Sequence, residues 1–289
     1  MYKKIDKYIP YLYILPLIIV VVAVIFYPIL SLFYGSLTTK TSSGVSFAGL
    51  QNFQLLFKDP LFTTAITNNL KLFLTVPILT VMSLVLSTIL FNRVRGWQTY
   101  RSLIFIPYIL SISVVGIIFS YILQYNGIIN TFLRDIGLEK WALDWLGDPD
   151  LAMGTIAVVV IWKQLGFGVI LFLARMQSID VQLYEAAAID GTNAFQRLIH
   201  ITIPQAKAII EFYIITTLIE MLSWMFSYVY VMTAGGPGSS TYILEYLLYK
   251  KAFGGGNYHI AQAVGVIVLL IAMAIIIVQQ LLAREEDDE

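Results

Sequence analysis

The sequence predicts an all-α membrane protein with six transmembrane helices. Hydrophobic residues make up 58% of the 289 positions, mean hydropathy is +0.80 and only 12% of residues are charged, whereas soluble domains carry charge on about a quarter of their residues. Several uncharged stretches reach 20 residues or more, and a helix needs about 20 apolar residues to cross roughly 30 Å of hydrocarbon. We therefore predict spans at residues 11–33, 72–91, 103–123, 151–174, 212–232 and 261–283.

The distribution of Lys and Arg predicts that both termini lie in the cytoplasm. An even number of spans places the termini on one side, and short cytoplasmic loops carry an excess of basic residues. With the N-terminus inside, ten basic residues fall in inner segments and six in outer ones. The basic N-terminus resembles a signal peptide, but the first apolar run is too long for one and no small-residue cleavage site follows. We therefore treat residues 1–289 as a single transmembrane domain.

Composition excludes several classes of function. The chain has no cysteine, so it holds no disulfide, thiolate metal site or cysteine nucleophile. His200 and His259 are its only histidines, so we expect no transition-metal site. Eighteen basic residues balance eighteen acidic ones, which gives no indication of nucleic-acid binding. An intramembrane enzyme would need a histidine–carboxylate cluster or a nucleophile elbow within the spans, and the sequence contains neither.

The connection between the fourth and fifth spans, residues 178–208, is patterned as structure. Asp180 suits the cap of a short helix running to about Ile189, since its carboxylate can accept the first free N–H groups. Gly191 follows where a left-handed residue would end that helix. Small side chains on this helix permit close approach by another surface; they are Ala186, Ala187 and Ala188.

A second helix is predicted in the same segment. Asn193 and Gln196 stand three residues apart, as in a capping box. Pro204 either ends this helix or marks the beginning of the next span. The pattern predicts a helix–glycine–helix knob, and the alternative is an ordinary amphipathic helix that re-enters the membrane.

Ionisable side chains are predicted within two spans. Lys163 and Glu220 lie near the centres of the fourth and fifth spans, where an ionisable group costs roughly 2.5–3.5 kcal/mol and usually has a partner. They either form a static ion pair or line a solute cavity. Polar and aromatic groups recur along the fifth span at spacings of three, four, seven and eight, which predicts that they share one helical face; they are Glu220, Ser223, Trp224, Ser227 and Tyr228. Asn68 and Asn69, before the apolar part of the second span, are expected to cap that helix.

A known family shares the pattern of the segment at 178–208. Residues 185–191 read EAAAIDG, and Ile203-Pro204 follow about a dozen residues later. This resembles the EAA loop of binding-protein-dependent ABC importer permeases. The resemblance implies that the first short helix is a coupling helix that docks on a separate ATPase subunit, and we call residues 178–208 the coupling segment. The coupling residues that it implies are Tyr184, Glu185, Ala186, Ala187, Asp190, Gly191 and Pro204.

Further motifs resemble the permeases of carbohydrate importers of the maltose and glycerol-3-phosphate type. They are FAGLQNF at 47–53, RSLIFIPYILS at 101–111, WKQLGF at 162–167 and YVMTAGGP at 230–237. The resemblance implies the type I ABC importer permease fold and a carbohydrate cargo. It also implies that parts of the fourth and fifth spans line the solute site, with Gln164, Phe167, Glu220, Ser223, Trp224 and Ser227 as the expected contacts.

The resemblance implies a transport subunit with no catalytic site of its own. No Gly-Lys-Ser/Thr follows the glycine-rich stretch at 235–240 and no Walker motif occurs elsewhere, so ATP and Mg are expected on partner subunits and no cofactor on this chain. The expected partners are a second homologous permease, two ABC ATPase subunits, an extracellular solute-binding protein, a sugar or oligosaccharide, and the lipid bilayer. The expected location is a prokaryotic cell membrane, and the residue usage favours a low-GC Gram-positive source.

Two alternatives stay open at this point. Lys163 would also suit a phosphorylated or acidic small solute, such as glycerol 3-phosphate or a uronate oligosaccharide. A self-sufficient secondary transporter is the more remote alternative. It predicts inverted repeats or interrupted helices, neither of which the sequence pattern shows, and it leaves the coupling segment without a role.

Overall fold

The computed structural model describes residues 9–42, 44–255 and 257–287. The described chain is mostly helical, which confirms the predicted all-α class. It forms two compact units. The first contains the described residues up to Phe62 together with Leu247–Leu270, and the second contains Thr63–Tyr246 and the described residues from Ile271 onward. The coupling segment and the predicted solute contacts all belong to the second unit.

The first half of the chain contains one small hairpin and eight helices within its described part. A π-helical turn, Val22–Phe26, joins the first two helices, and the two strands pair antiparallel. The elements are α1 (Ile9–Val21), α2 (Tyr27–Ser36), β1 (Thr38–Thr41), β2 (Gly44–Phe47), α3 (Gln51–Phe57), α4 (Pro60–Phe73), α5 (Thr75–Phe91), α6 (Trp97–Ile109), α7 (Ile112–Ile122) and α8 (Ile128–Asp135).

The second half contains the two longest helices. A short 3₁₀ turn, Glu139–Trp141, precedes it, and a π-helical turn, Leu198–Thr202, lies within the coupling segment. The helices are α9 (Ala152–Ser178), α10 (Val181–Ile189), α11 (Ala194–Arg197), α12 (Ile203–Gln205), α13 (Lys207–Ser223), α14 (Phe226–Met232), α15 (Leu244–Phe253) and α16 (Tyr258–Asp287).

Length and composition identify up to six membrane spans in the described chain. Four helical stretches are long and apolar enough to cross a membrane, namely Tyr13–Ser36, Pro60–Phe91, Ala152–Ser178 and Tyr258–Leu281. Two bent pairs pass the same test together; they are Trp97–Ile109 with Ile112–Ile122, at 98°, and Ala194–Gln205 with Lys207–Ser223, at 79°. Counting each pair as one span gives the predicted number. The second pair begins well before the predicted fifth span at 212–232.

The predicted span at 103–123 is interrupted at its centre. Helix α6 ends at Ile109, Leu110 and Ser111 adopt extended backbone angles, and α7 starts at Ile112. Pro107 lacks an N–H group in the last turn of α6, and serine is favoured immediately before a new helix. The sequence pattern showed no interrupted helix, whereas the structure contains one here.

Close packing fixes α9 between α5 and α6 in the second unit. A Cβ atom on Gly166 would lie 2.4 Å from the carbonyl oxygen of Ile104 in α6, so only glycine permits this approach. On the other side, the Ser87 hydroxyl of α5 donates to the Val169 carbonyl at 2.9 Å. Small residues and interhelical hydroxyl bonds are typical of helix contacts in membranes. This packing holds the part of α9 that carries Lys163 and Gln164.

In the first unit, the motif at residues 47–53 has a structural role. Asn52 is buried, and its side-chain amide donates to the carbonyl oxygens of Ser36 and Thr38 at 2.8 Å each. These two bonds tie α3 to the end of α2 and the start of β1. The asparagine of this motif is therefore explained by the fold.

We predict that Gly166→Ala destabilises the chain and that Gly154→Ala, on the same helix, does not. The methyl group at 166 would clash with the main chain of α6, whereas nothing lies within 4 Å of a Cβ atom at Gly154. Overpacking of this kind costs about 1–3 kcal/mol, so the apparent Tm in detergent should fall for Gly166→Ala alone. Equal Tm values for the two variants would contradict the close approach of α6 and α9.

Candidate functional site

The first helix of the coupling segment has the ends that the sequence predicts. Helix α10 begins after Asp180, whose carboxylate accepts the N–H of Gln182 at 3.0 Å. It ends at Ile189, and Gly191 has a φ of +76°, in the left-handed region that favours glycine. The chain can therefore turn sharply after α10.

The second helix also begins as predicted. Asn193 and Gln196 form a complete capping box, with both reciprocal bonds at 2.9 Å. The helix continues through the π-helical turn and ends at Gln205, one residue after Pro204. A bend of 79° then leads into α13. Pro204 thus lies in the last turn of this helix.

Internal bonds hold the two arms of the coupling segment together. The Ala187 carbonyl accepts both the backbone N–H of Thr192, at 3.0 Å, and its hydroxyl, at 2.6 Å. The Tyr184 hydroxyl lies 3.0 Å from the hydroxyl of Thr202, and the Tyr184 ring packs against Phe91 at the end of α5. The segment is therefore a connected body that also contacts a membrane helix.

Arg175 bonds to Ser178 at the start of the coupling segment and to Gln205 near its end. The sequence did not reveal this role. Its guanidinium donates from Nε, at 3.0 Å, and from Nη2, at 2.5 Å, to the carbonyl oxygen of Gln205. Arg175 lies in the last turn of α9, and Gln205 ends α12. The carbonyl is free because the helix stops there. The only sequence signal was a basic residue just before the segment.

The outer surface of the knob is exposed, and its inner surface is not. Ile189 is 87% exposed and Phe195 is also exposed. Of the predicted coupling residues, the structure exposes Glu185, Ala186, Asp190, Gly191 and Pro204. Tyr184 and Ala187 face the interior instead, so the expectation that all three alanines approach another surface is wrong for Ala187.

The structure gives Lys163 and Glu220 different partners. Both Lys163 and Gln164 are buried, with 5% and 6% of their surface exposed. The Lys163 ammonium donates to the Tyr108 carbonyl at 3.0 Å, whereas Glu220 accepts from the Gln164 amide at 2.8 Å. The Tyr108 carbonyl is unpaired within α6 because that helix ends at Ile109. The predicted direct ion pair is therefore replaced by two separate hydrogen bonds.

Aromatic rings surround these polar groups. The Phe167 ring stacks on Tyr108 with centroids 5.2 Å apart, and it also contacts Tyr213. The Lys163 ammonium lies 5.3 Å from the centre of the Tyr108 ring, a cation–π contact. Phe167 thus forms part of an aromatic wall beside Lys163 and Gln164.

The predicted polar stripe does not lie on one continuous helix. Helix α13 ends at Ser223, and α14 starts at Phe226. Trp224 and Ser223 at this break are exposed, Trp224 by 59%, whereas Glu220 and Ser227 are half-buried. The stripe consists of the end of one helix, the break and the start of the next.

Side chains from other segments bond to the backbone on both sides of the break. The Asn69 amide donates to the Met221 carbonyl at 3.4 Å, and Glu245 accepts the Phe226 N–H at 2.6 Å. Asn69 also accepts the N–H of Leu244 at 2.9 Å. Asn68 donates to two carbonyls of the turn before α15, those of Ser240 and Tyr242. The expectation that Asn68 and Asn69 cap their own helix is therefore wrong.

Glu245 lies between the fifth and sixth predicted spans. Burial raises its pKa from 4.5 to about 7, against the opposing effect of the bonds from the Phe226 and Met225 backbone. Nothing in the sequence pattern distinguished this residue from the other carboxylates between spans.

The acidic loop between α8 and α9 is folded around one asparagine. Asn130 is fully buried and donates to the carbonyl oxygens of Tyr125 and Leu143. It also accepts a hydrogen bond from the Trp145 indole at 2.8 Å, whereas Trp141 is exposed. The two tryptophans therefore differ, since one supports the loop and the other is available for contact.

A family profile covers most of the chain. The family described as binding-protein-dependent transport system inner membrane component matches residues 61–286. The chain belongs to this family. The matched region contains the coupling segment and the polar groups around Gln164 and Glu220.

Two relatives and one solved structure show how far the likeness extends. The probable ABC transporter permease protein YurN of Bacillus subtilis is 35% identical over 276 residues, covering 91% of this chain and 92% of YurN. The lactose transport system permease protein LacF of Rhizobium radiobacter is 34% identical over 247 residues, covering 84% and 83%. A chain from the crystal structure of a bacterial ABC transporter involved in the import of the acidic polysaccharide alginate matches with a TM-score of 0.84, 25% identity and 98% coverage of both chains.

We predict that Glu245 makes stability depend on pH. Because its pKa is raised to about 7, the folded chain keeps a proton that the unfolded chain has lost, so its contribution is complete below about pH 4.5 and is lost as the pH rises through about 7. Between about pH 5 and pH 7.5, the apparent Tm in detergent should fall less for Glu245→Gln, which cannot ionise, than for the unmodified chain. Parallel curves for the two proteins would show that Glu245 does not titrate in this way.

Proposed function

We propose that the chain is the membrane-spanning permease subunit of an ABC importer that takes up a sugar or oligosaccharide from an extracellular solute-binding protein. The observation that carries the proposal is the exposed knob of the coupling segment, which directly follows a helix long enough to cross the membrane. The family description, which names binding-protein-dependent transport, supports the dependence on a binding protein. The name of the relative LacF, a lactose permease, supports a sugar as the cargo.

In this assembly ATP hydrolysis takes place in separate subunits. The sequence contains no Gly-Lys-Ser/Thr phosphate loop, so two ABC ATPase subunits bind ATP and Mg, and this chain carries neither a cofactor nor a catalytic site. A second homologous permease completes the membrane part. Both termini lie in the cytoplasm of a prokaryotic, Gram-positive cell, where the coupling segment also meets the ATPases.

The internal bonds of the coupling segment explain how movement reaches the membrane. The exposed face that contains Glu185 and Asp190 docks on an ATPase subunit. When the ATPases close, the displacement passes through the Tyr184–Thr202 contact and through the bond from Arg175 to Gln205. These contacts connect the segment to α9 and to the start of α13, so both helices move together.

The solute contacts are proposed on the surface around the break between α13 and α14. Trp224 offers an exposed aromatic face for the C–H surface of a sugar ring, and Ser223 and Ser227 offer hydroxyl groups. Gln164 fixes one oxygen of the Glu220 carboxylate, and a carboxylate has further acceptor sites for sugar hydroxyls. Phe167 closes the site on the α9 side.

An acidic cargo is the second candidate. The solved structure with a TM-score of 0.84 belongs to an importer of an acidic polysaccharide, which favours a uronate oligosaccharide or another acidic solute such as glycerol 3-phosphate. Against it, the Lys163 ammonium is buried and bonded to a backbone carbonyl. A neutral sugar therefore suits this surface better. Family membership speaks against a secondary transporter, although the interrupted helices which that alternative predicted are present.

We predict that Glu185→Ala uncouples ATP hydrolysis from transport. Its side chain is exposed, so the substitution removes a contact with the ATPase and leaves the fold of the segment intact. Gly191→Pro should uncouple as well, because proline cannot adopt a φ of +76°. In proteoliposomes with the partner subunits, solute uptake per ATP hydrolysed should fall about tenfold or more, as expected when a contact worth about 1.4 kcal/mol is lost.

The matched control for the coupling experiment is Gln177→Ala. Gln177 is exposed at the end of α9 but lies outside the proposed docking face, so uptake per ATP should be unchanged. Full coupling in well-assembled Glu185→Ala and Gly191→Pro transporters would refute the role of the segment.

We predict that Trp224→Ala weakens solute binding. Loss of an aromatic stacking face should raise the solute concentration for half-maximal uptake about three- to tenfold, given contacts worth about 0.5–1.5 kcal/mol. Uptake is measured with the best-transported member of a panel of neutral and acidic oligosaccharides, which also decides between the two cargo classes. Trp141→Ala is the control, since it removes an exposed tryptophan from the acidic loop between α8 and α9. An unchanged half-saturating concentration for Trp224→Ala would remove this residue from the solute surface.

A further inference from the structure

The break between α13 and α14 requires support that neither helix supplies. A helix end leaves carbonyl groups without partners, and a helix start leaves N–H groups without partners. At this break the carbonyl of Met221 and the N–H of Phe226 both bond to side chains from outside the two helices. Met221 and Met225 are fully buried, so water is excluded there and an unpaired group would be costly.

Two residues from distant parts of the chain pair these groups. Asn69, with 3% of its surface exposed, donates to the Met221 carbonyl on one side of the break. Glu245 accepts the Phe226 N–H at 2.6 Å on the other side. One residue therefore satisfies the end of α13, and the other satisfies the start of α14.

The two residues are also connected to each other. The Asn69 side chain accepts the N–H of Leu244, the residue next to Glu245. Asn69 thus binds both the end of α13 and the segment that carries Glu245. We call Asn69 and Glu245 the break clamp, because together they hold both sides of the interruption.

The clamp determines where the proposed solute surface lies. Trp224 is inside the break, and Ser227 is in the first turn of α14, directly after the N–H that Glu245 accepts. Neither side chain is bonded by the clamp, so both keep their faces available. The clamp bonds to both sides of the break that separates Glu220 from Ser227.

We infer that Asn69 and Glu245 are positioning residues that hold the break so that Trp224 and Ser227 can bind solute. This inference rests on the proposed solute surface. It extends that surface by two residues that do not touch the solute and that belong to no motif of the coupling segment. The clamp affects solute affinity through the geometry of the break, and it leaves the ATPase contacts unchanged.

The first test compares half-saturating solute concentrations. Asn69→Ala and Glu245→Ala should each raise this concentration about fivefold or more, because each removes a hydrogen bond to the backbone at the break. Glu245→Gln should restore it to within about twofold, since the Gln oxygen can still accept the Phe226 N–H. Asn68→Ala is the matched control, because the neighbouring Asn68 binds the turn before α15 and not the break. The rate of ATP hydrolysis by the assembled transporter should stay unchanged in all four variants.

The second test measures the break without any solute. The chain has no cysteine, so spin labels can be placed at Ala208→Cys in α13 and Tyr230→Cys in α14, both at exposed positions. With cysteine-free partner subunits, the distance distribution between the labels should broaden in Asn69→Ala and Glu245→Ala and stay narrow in Glu245→Gln. If Glu245→Ala does not assemble, Glu245→Asp replaces it, since it shortens the side chain by one methylene.

The outcomes separate the clamp from the proposed function. An unchanged distance distribution in Asn69→Ala and in the Glu245 variant overturns the clamp. The clamp variants could broaden the distance distribution and leave the half-saturating solute concentration unchanged, while Trp224→Ala raises that concentration. This result overturns the role of the clamp in solute binding. If Trp224→Ala also has no effect, the proposed solute surface is wrong, and a broadened distribution still supports the clamp on the break.

Discussion

Inside a membrane no water is available to pair a free backbone N–H or C=O group, and each unpaired group costs several kcal/mol. At two interruptions in the described part of the chain, side chains from elsewhere bond to the backbone. Lys163 pairs the carbonyl at the end of α6, while Asn69 and Glu245 pair the groups at the break between α13 and α14. Much of the polar character at membrane depth follows from this requirement.

The same requirement explains why the proposed solute surface lies where it does. In an uninterrupted helix the backbone groups bond to one another within the helix. At the break, by contrast, Trp224 is exposed beside half-buried polar groups. The bond from Gln164 to Glu220 holds one oxygen of the carboxylate beside this break. The proposed solute surface and the contacts of Asn69 and Glu245 thus both follow from the break between α13 and α14.

Features set by neighbouring residues could be predicted from the sequence, and features set by distant ones could not. The cap at Asp180, the capping box at Asn193 and the left-handed Gly191 each depend on positions a few residues apart. The partner of Lys163 depends instead on the end of α6, which the hydrophobic pattern concealed because the break at Leu110 is itself apolar. Equal depth in the membrane was not enough to pair Lys163 with Glu220.

The bond from Arg175 to Gln205 ends on a main-chain carbonyl, as do those from Lys163 and Asn69. Such a bond needs a particular side chain on one partner only, because every residue type supplies the same carbonyl. Position 205 is therefore free to vary in evolution without losing the link between α9 and the end of the coupling segment. Paired substitutions among homologues would reveal the contact of Gln164 with Glu220, because both partners are side chains. They would not reveal the bonds from side chains to main-chain groups at the helix breaks.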